Sequence, residues 1–131
     1  MGRRLIVDTN VLVAIERGSD TGLGLRDDDE LAIAAITQAE LRVGVLLAAD
    51  ADVAAARQQT VATMLDAVDV LDYTSRTADH HAELLAHTRR IGTPRGAHDL
   101  IIAAHAAETG RGILTRDVAA RFGDLPGVRA G

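Results

Sequence analysis

The stretch Arg4-Leu5-Ile6-Val7-Asp8-Thr9-Asn10 decides how the rest of the chain is read. Three consecutive branched apolar residues suit a strand buried on both faces, which occurs where a parallel sheet is covered by helices on both sides. Asp8 follows without a spacer. A lone carboxylate at the end of a buried strand is costly, so this position marks function rather than solvation. Arg4 to Asp8 is therefore predicted as the first strand and Val11 to Arg17 as the following helix, with Asn10 as its N-cap.

Outward from there the same strand–helix alternation repeats, which predicts an α/β domain with a parallel sheet. Gly18 to Glu30 reads as a loop or short helix and Leu31 to Thr37 as strand two. A helix follows from Gln38 to about Ala49, and an Ala-rich amphipathic helix spans Asp52 to Val68. Asp69 to Tyr73 gives a short third strand, and Ser75 to Ile91 a helix closed by Gly92. The loop Gly92-Thr93-Pro94-Arg95-Gly96 leads into the nearly all-apolar helix Ala97 to Thr109, expected to lie buried against the sheet. Gly112 to Thr115 is strand four, Val118 to Phe122 a short helix, and Val128-Arg129 at most a stub of a fifth strand. No repeat or linker interrupts residues 1–131, which read as one domain.

Four acids fall at or near the predicted junctions: Asp8, Glu40, Asp99 and Asp117. In an open parallel sheet, ligands bind outside the carboxyl ends of the strands. Each acid also has a structural explanation. Thr37-Gln38-Ala39-Glu40 is a capping-box pattern, Asp117 could N-cap the last helix, and Asp99 could complement a helix dipole. Taken together they point elsewhere. Two carboxylates ~5 Å apart at an effective dielectric of 20 repel by about 3 kcal/mol. Several such groups need a divalent cation between them, and hard oxygen ligands suit Mg2+ or Mn2+. Such an ion can polarise a phosphate, activate a water and hold both in line, the chemistry of a phosphodiesterase.

Composition narrows the alternatives. Aromatics are 2% of the chain, which disfavours base-stacking modules. Cysteine is absent, consistent with a reducing, cytoplasmic setting. No apolar run reaches the ~18 residues of a membrane span. The net charge of −5 does not recommend a nucleic-acid partner. All 14 basic residues are Arg, however, and Arg suits local bidentate phosphate contacts. Asp27-Asp28-Asp29-Glu30 reads as a solvated acidic loop. His80, His81 and His87 lack zinc-type spacing. His98 and His105 flank the apolar helix as packing or hydrogen-bonding groups, His98 with possible reach to substrate through its place beside Asp99.

Four fragments now carry a family resemblance: Ile6-Val7-Asp8-Thr9-Asn10, Thr37 to Gly44, His98-Asp99-Leu100-Ile101-Ile102-Ala103-Ala104, and Leu114-Thr115-Arg116-Asp117. In their order and spacing, over essentially the whole chain, they resemble PIN-domain ribonucleases, specifically VapC-type toxins of VapBC toxin–antitoxin systems. The resemblance implies a single PIN-like, three-layer domain whose parallel sheet of four to five strands, in the order 3-2-1-4-5, is flanked by helices. It also implies an endoribonuclease dependent on Mg2+ or Mn2+, acting on structured cellular RNA. By position, Asp8, Asp99 and Asp117 would hold the metal, Asp117 often through water, and Glu40 would orient a water or help hold the ion. Asn10 and Thr115 would position Asp8 and Asp117. Similar toxins form homodimers and are silenced by an antitoxin whose C-terminal segment covers the acidic pocket. Arg42, Arg95, Arg116 and Arg121 lie in or near the junction segments and are candidate RNA-phosphate contacts.

Two other readings stay open. A phosphatase or dehalogenase could use Asp8 as nucleophile. Asp8-Thr9-Asn10 lacks the second aspartate such a phosphatase would want, and no Lys exists to stabilise a phosphoaspartate. A non-catalytic module could instead hold an Arg-bearing partner in an acidic pocket.

Overall fold

The computed structural model describes residues 2–18, 24–116 and 122–130. Strand β1 (Arg4–Val7) lies at the centre of a five-stranded sheet, between β2 (Glu30–Ala34) and β4 (Gly112–Leu114). Outside these lie β3 (Asp69–Leu71) and β5 (Arg129–Ala130), giving the order β3-β2-β1-β4-β5 with every pairing parallel. Parallel neighbours need crossover connections, and the helices supply them. These are α1 (Thr9–Glu16), α2 (Ala35–Leu46), α3 (Ala51–Asp66), α4 (Ser75–Ile91) and α5 (Ala97–Thr109).

Side-chain alternation along the strands builds the core on both faces. Ile6, Ala34 and Ile113 point to one side, where they meet Leu84 of α4 and Leu100, Ile102 and Ala103 of α5, together with Phe122 and Leu125. Leu5, Val7, Ile33 and Leu114 point to the other, against Val11 and Leu12 of α1 and Met64 of α3. The apolar helix 97–109 is buried as its composition requires, and Gly110 ends it in a left-handed conformation (φ 70°) that an L-residue rarely adopts.

Several boundaries differ from the sequence reading, each for a local reason. The first helix starts at Thr9, and its N-cap is Asp8, not Asn10, because the Asp8 side chain accepts the Asn10 amide. β2 ends at Ala34 and α2 begins at once. Thr37 and Glu40 therefore lie inside the helix, and the expected capping box does not form; the N-cap Ala34 has no side-chain bond to offer. Thr37 is instead fully buried. β1, β3 and β4 end one or two residues earlier than expected, and the 51–66 helix starts at Ala51 under an Asp50 cap that accepts the Val53 amide at 2.9 Å. The fifth strand is present at 129–130, because pairing with β4 supplies the bonds that so short a segment cannot make alone. Of the expected helix at 118–122, residues 118–121 lie outside the described residues, and a 3-10 turn occupies Phe122–Asp124.

The acidic block is not wholly solvated either. The Asp29 side chain is 1% exposed and takes a two-pronged contact from Arg3, Nε at 2.9 Å and Nη2 at 2.7 Å, plus the Arg26 amide at 2.8 Å. The Arg3 hydrogen bond, with that amide, holds the Asp29 carboxyl down at about 2. Among the described residues no helix is long and apolar enough to cross a membrane.

Candidate active site

The register of β1 and β4 sets the geometry at the carboxyl edge. Val7 lies opposite Leu114, so the residues just beyond them, Asp8 and Thr115, emerge side by side. Thr115 Oγ1 donates to Asp8 Oδ2 at 2.5 Å, and the Asn10 amide donates to Asp8 Oδ1 at 3.2 Å. Each carboxylate oxygen thus has one fixed donor. Asp8 is half-buried, not sealed in the core as the strand pattern suggested, because its strand ends at Val7. The Asn10 side-chain oxygen in turn accepts the Arg116 amide at 3.4 Å, which ties the loop after β4 to the start of α1.

Asp99 arrives from another direction, in the first turn of α5, where a negative charge complements the helix dipole. Gly96 precedes that turn. A Cβ at this position would stand 3.3 Å from Asp99 Oδ2, so glycine leaves the carboxylate its space. Glu40 reaches the same place from within α2. Its Oε1 lies 2.5 Å from His98 Nδ1, and its Oε2 accepts from Thr9 Oγ1 at 3.4 Å. Asp8, Thr9, Asn10, Glu40, His98, Asp99 and Ile102 line one concavity of about 350 Å3.

Asp8, Glu40 and Asp99 are therefore brought together, with Asn10 and Thr115 bonded as described. Asp117 and Arg121 lie outside the described residues. The remaining arginines do not line the concavity. Arg42 Nη1 donates to Gln58 at 2.7 Å, tying α2 to α3. Arg95 lines a neighbouring hollow with Leu85, Thr88 and Leu100. Arg116 is exposed beside Asn10. The sequence reading gave no role to Thr9 or Gly96 and did not pair His98 with Glu40. The only available sign was adjacency, Thr9 to Asp8 and His98 to Asp99.

Among the described residues no three His, Cys, Asp or Glu side chains are grouped tightly enough to form a ready-made metal cage. The donor chemistry nevertheless fits a hard divalent ion. Asp8, Asp99 and Glu40 offer carboxylate oxygens, Asn10 and Thr9 neutral oxygens, and the single imidazole is engaged by Glu40.

Comparison with known proteins places the fold and the family. The family model of the PIN domain matches residues 5–125. Ribonuclease VapC5 of Mycobacterium tuberculosis is 36% identical over 112 residues, covering 86% of this chain and 82% of that protein. The tRNA(fMet)-specific endonuclease VapC of Salmonella typhimurium is 28% identical over 130 residues, covering 96% and 95%. The structure of DNA-bound VapBC from Salmonella typhimurium superposes with a TM-score of 0.82 at 26% identity, covering 100% of this chain and 98% of that one.

Proposed function

The chain belongs to the PIN-domain family, and from that premise we propose that it is a divalent-metal-dependent endoribonuclease, the toxin of a toxin–antitoxin pair. One observation carries the reading: Asp8 and Asp99, distant along the chain, line a single concavity at the carboxyl edge of the sheet. Asp8 and Asp99 would hold the ion, with Asp117 completing the set. The ion is Mg2+ or Mn2+, which supplies polarisation of the phosphodiester and activation of a water.

The chain's own residues do the positioning. Thr115 and the Asn10 amide fix the two oxygens of Asp8, so the carboxylate does not need to reorganise when it takes up a cation. Thr9 and His98 hold Glu40 at the mouth of the concavity, where its carboxylate can accept a proton from an attacking water. Exposed Arg116, whose amide donates to Asn10, is one candidate phosphate contact beside this cluster. Structured RNA is the substrate class, as the tRNA(fMet)-specific relative suggests. An antitoxin is the partner, by likeness to the VapBC assembly; the cytoplasm is the setting, and the toxin pairs as a homodimer. The test is incubation of purified protein with total RNA and Mg2+ beside Asp8→Ala. Cleavage by the wild type alone supports the assignment; equal cleavage by both removes Asp8 from the mechanism.

A further inference from the structure

The opposite, amino edge of the same sheet gathers arginines. A second concavity, of about 420 Å3, is lined by Arg3, Arg4 and Arg129 together with Gly110, Gly112 and neighbouring backbone; no acid is among its lining residues. Arg3 is committed to Asp29. Arg4 and Arg129 are anchored through one nitrogen each, Arg4 Nη1 to the Thr109 carbonyl at 3.4 Å and Arg129 Nη2 to the Gly110 carbonyl. A guanidinium carries five N–H donors, so most of theirs remain available. Glu30 meets Arg4 only at 3.9 Å, where both side chains are more than half exposed.

Arg111 sits between the two lining glycines on the same edge but does not itself line the concavity. It is only 9% exposed, and its Nε has no hydrogen-bond partner among the described residues. Among those residues no carboxylate comes within ion-pair distance of it either. Burial pushes its pKa down and the nearby Arg4 charge adds to that, while Asp69 and Glu30 oppose the shift only through space. Its charge is thus felt at Arg4, which does line the concavity, and adds to the positive potential there.

We propose that this amino edge is a phosphate-binding site in which Arg4 and Arg129 grip a terminal phosphate. Forked guanidinium donors match a tetrahedral oxyanion better than they match a spherical halide. The volume leaves room for the ester group that carries the phosphate, so the ligand is inorganic phosphate or a phosphate monoester at the end of a nucleotide or RNA strand. Four-residue β1 separates this site from the carboxylates by about 13 Å of strand, so the two are independent.

The test is titration in EDTA, at constant ionic strength, with inorganic phosphate, a nucleoside 5′-monophosphate and a short 5′-phosphorylated oligoribonucleotide. Arginine Nε–H resonances and the melting temperature are followed. The expected result is saturable movement of the Arg4 and Arg129 resonances with a Kd below about 1 mM, weakened about tenfold in Arg4→Gln and Arg129→Gln. RNA cleavage by those two variants should stay at the wild-type rate. An oligonucleotide binding about tenfold tighter than free phosphate assigns the site to RNA ends; equal affinities assign it to the free ion. Chloride reproducing the shifts, or either variant titrating like the wild type, overturns the proposal.

Discussion

The two ends of β1 carry opposite chemistry on one scaffold. At the carboxyl end, Asp8 emerges beside Thr115 and faces Glu40 and Asp99 across a concavity. At the amino end, Arg4 begins the strand one residue before Leu5, which lies opposite Gly112, and Arg3 and Arg129 line the same concavity. The carboxyl edge gathers negative charge that its neutral hydroxyl and amide donors only partly offset. The arginines of the amino edge are spread over carbonyls, the Arg3–Asp29 pair and the looser Arg4–Glu30 contact, with acids at the starts of β2 and β3. A sheet held by an apolar core can thus carry two unlike, solvent-facing sites, because neither is needed to hold the strands together.

The largest expected effect separates the edges by function. Asp8→Asn keeps a good N-cap, so the melting temperature should stay within a few degrees of wild type. RNA cleavage should fall by about 1,000-fold, equivalent to ~4 kcal/mol of lost transition-state stabilisation. A variant that melts normally and still cleaves at a tenth of the wild-type rate would break the contrast. Next in size is Thr115→Val, which removes the hydroxyl on Asp8 Oδ2. Positioning groups of this kind are worth about 10–100-fold in metal affinity, and Mn2+ titration should report a loss in that range. Unchanged affinity would show that Asp8 needs no such support.

Gly96→Ala sharpens the comparison from the other side of the concavity. The new methyl would press on Asp99 Oδ2, and Mn2+ affinity should drop by less than in the Thr115 variant, roughly severalfold, since the contact can relax by a few tenths of an ångström. An increase in affinity would contradict that placement.

The smallest effects are on stability and pH. The Asp29 carboxyl sits at about 2 against an ordinary 3.8, so the unfolded chain binds its proton first. Its stabilisation is complete above the ordinary value and is lost as pH falls through about 2; acid titration of Arg3→Met should show a smaller loss over that range, because the shift that creates it is largely removed. His105 behaves in the same sense near neutrality. Burial, opposed by Glu108, lowers its pKa from 6.5, so its neutral form stabilises the fold above 6.5 and protonation erodes that as pH falls. The denaturant midpoint should be lower at pH 5.5 than at 7.5, with a smaller difference in His105→Leu. A midpoint rising on acidification would reverse the sign.

Much of this was legible in the residues. The run Leu5-Ile6-Val7 announces a central strand, Gly92 and Gly110 mark helix ends, and the apolar pattern of 97–109 gives its burial. Parallel pairing follows from the strand–helix alternation, and the order of the strands came with the family resemblance. What could not be read depends on three-dimensional neighbours. Thr37 and Glu40 carry a capping-box spacing, yet Ile33 and Ala34 complete β2 early and the backbone turns helical before Thr37. Asp29 looks like one more loop acid until Arg3 is brought beside it from the first strand's approach. Arg42 sits in a suggestive motif, but its helix face points at Gln58 of α3. Asp8 and Asp99 were legible as strand-end and helix-start acids; their meeting required the register that sets β1 beside β4 and α5 against both.

The most direct measurement is Mn2+ binding, by titration calorimetry or electron paramagnetic resonance, to the wild type, Asp8→Asn, Asp99→Asn and the double variant. If the two carboxylates share one ion, each single change should weaken binding by about tenfold or more, and the double change should cost much less than the product of the two. Wild-type affinity retained in either single variant, or losses that simply multiply, would contradict it.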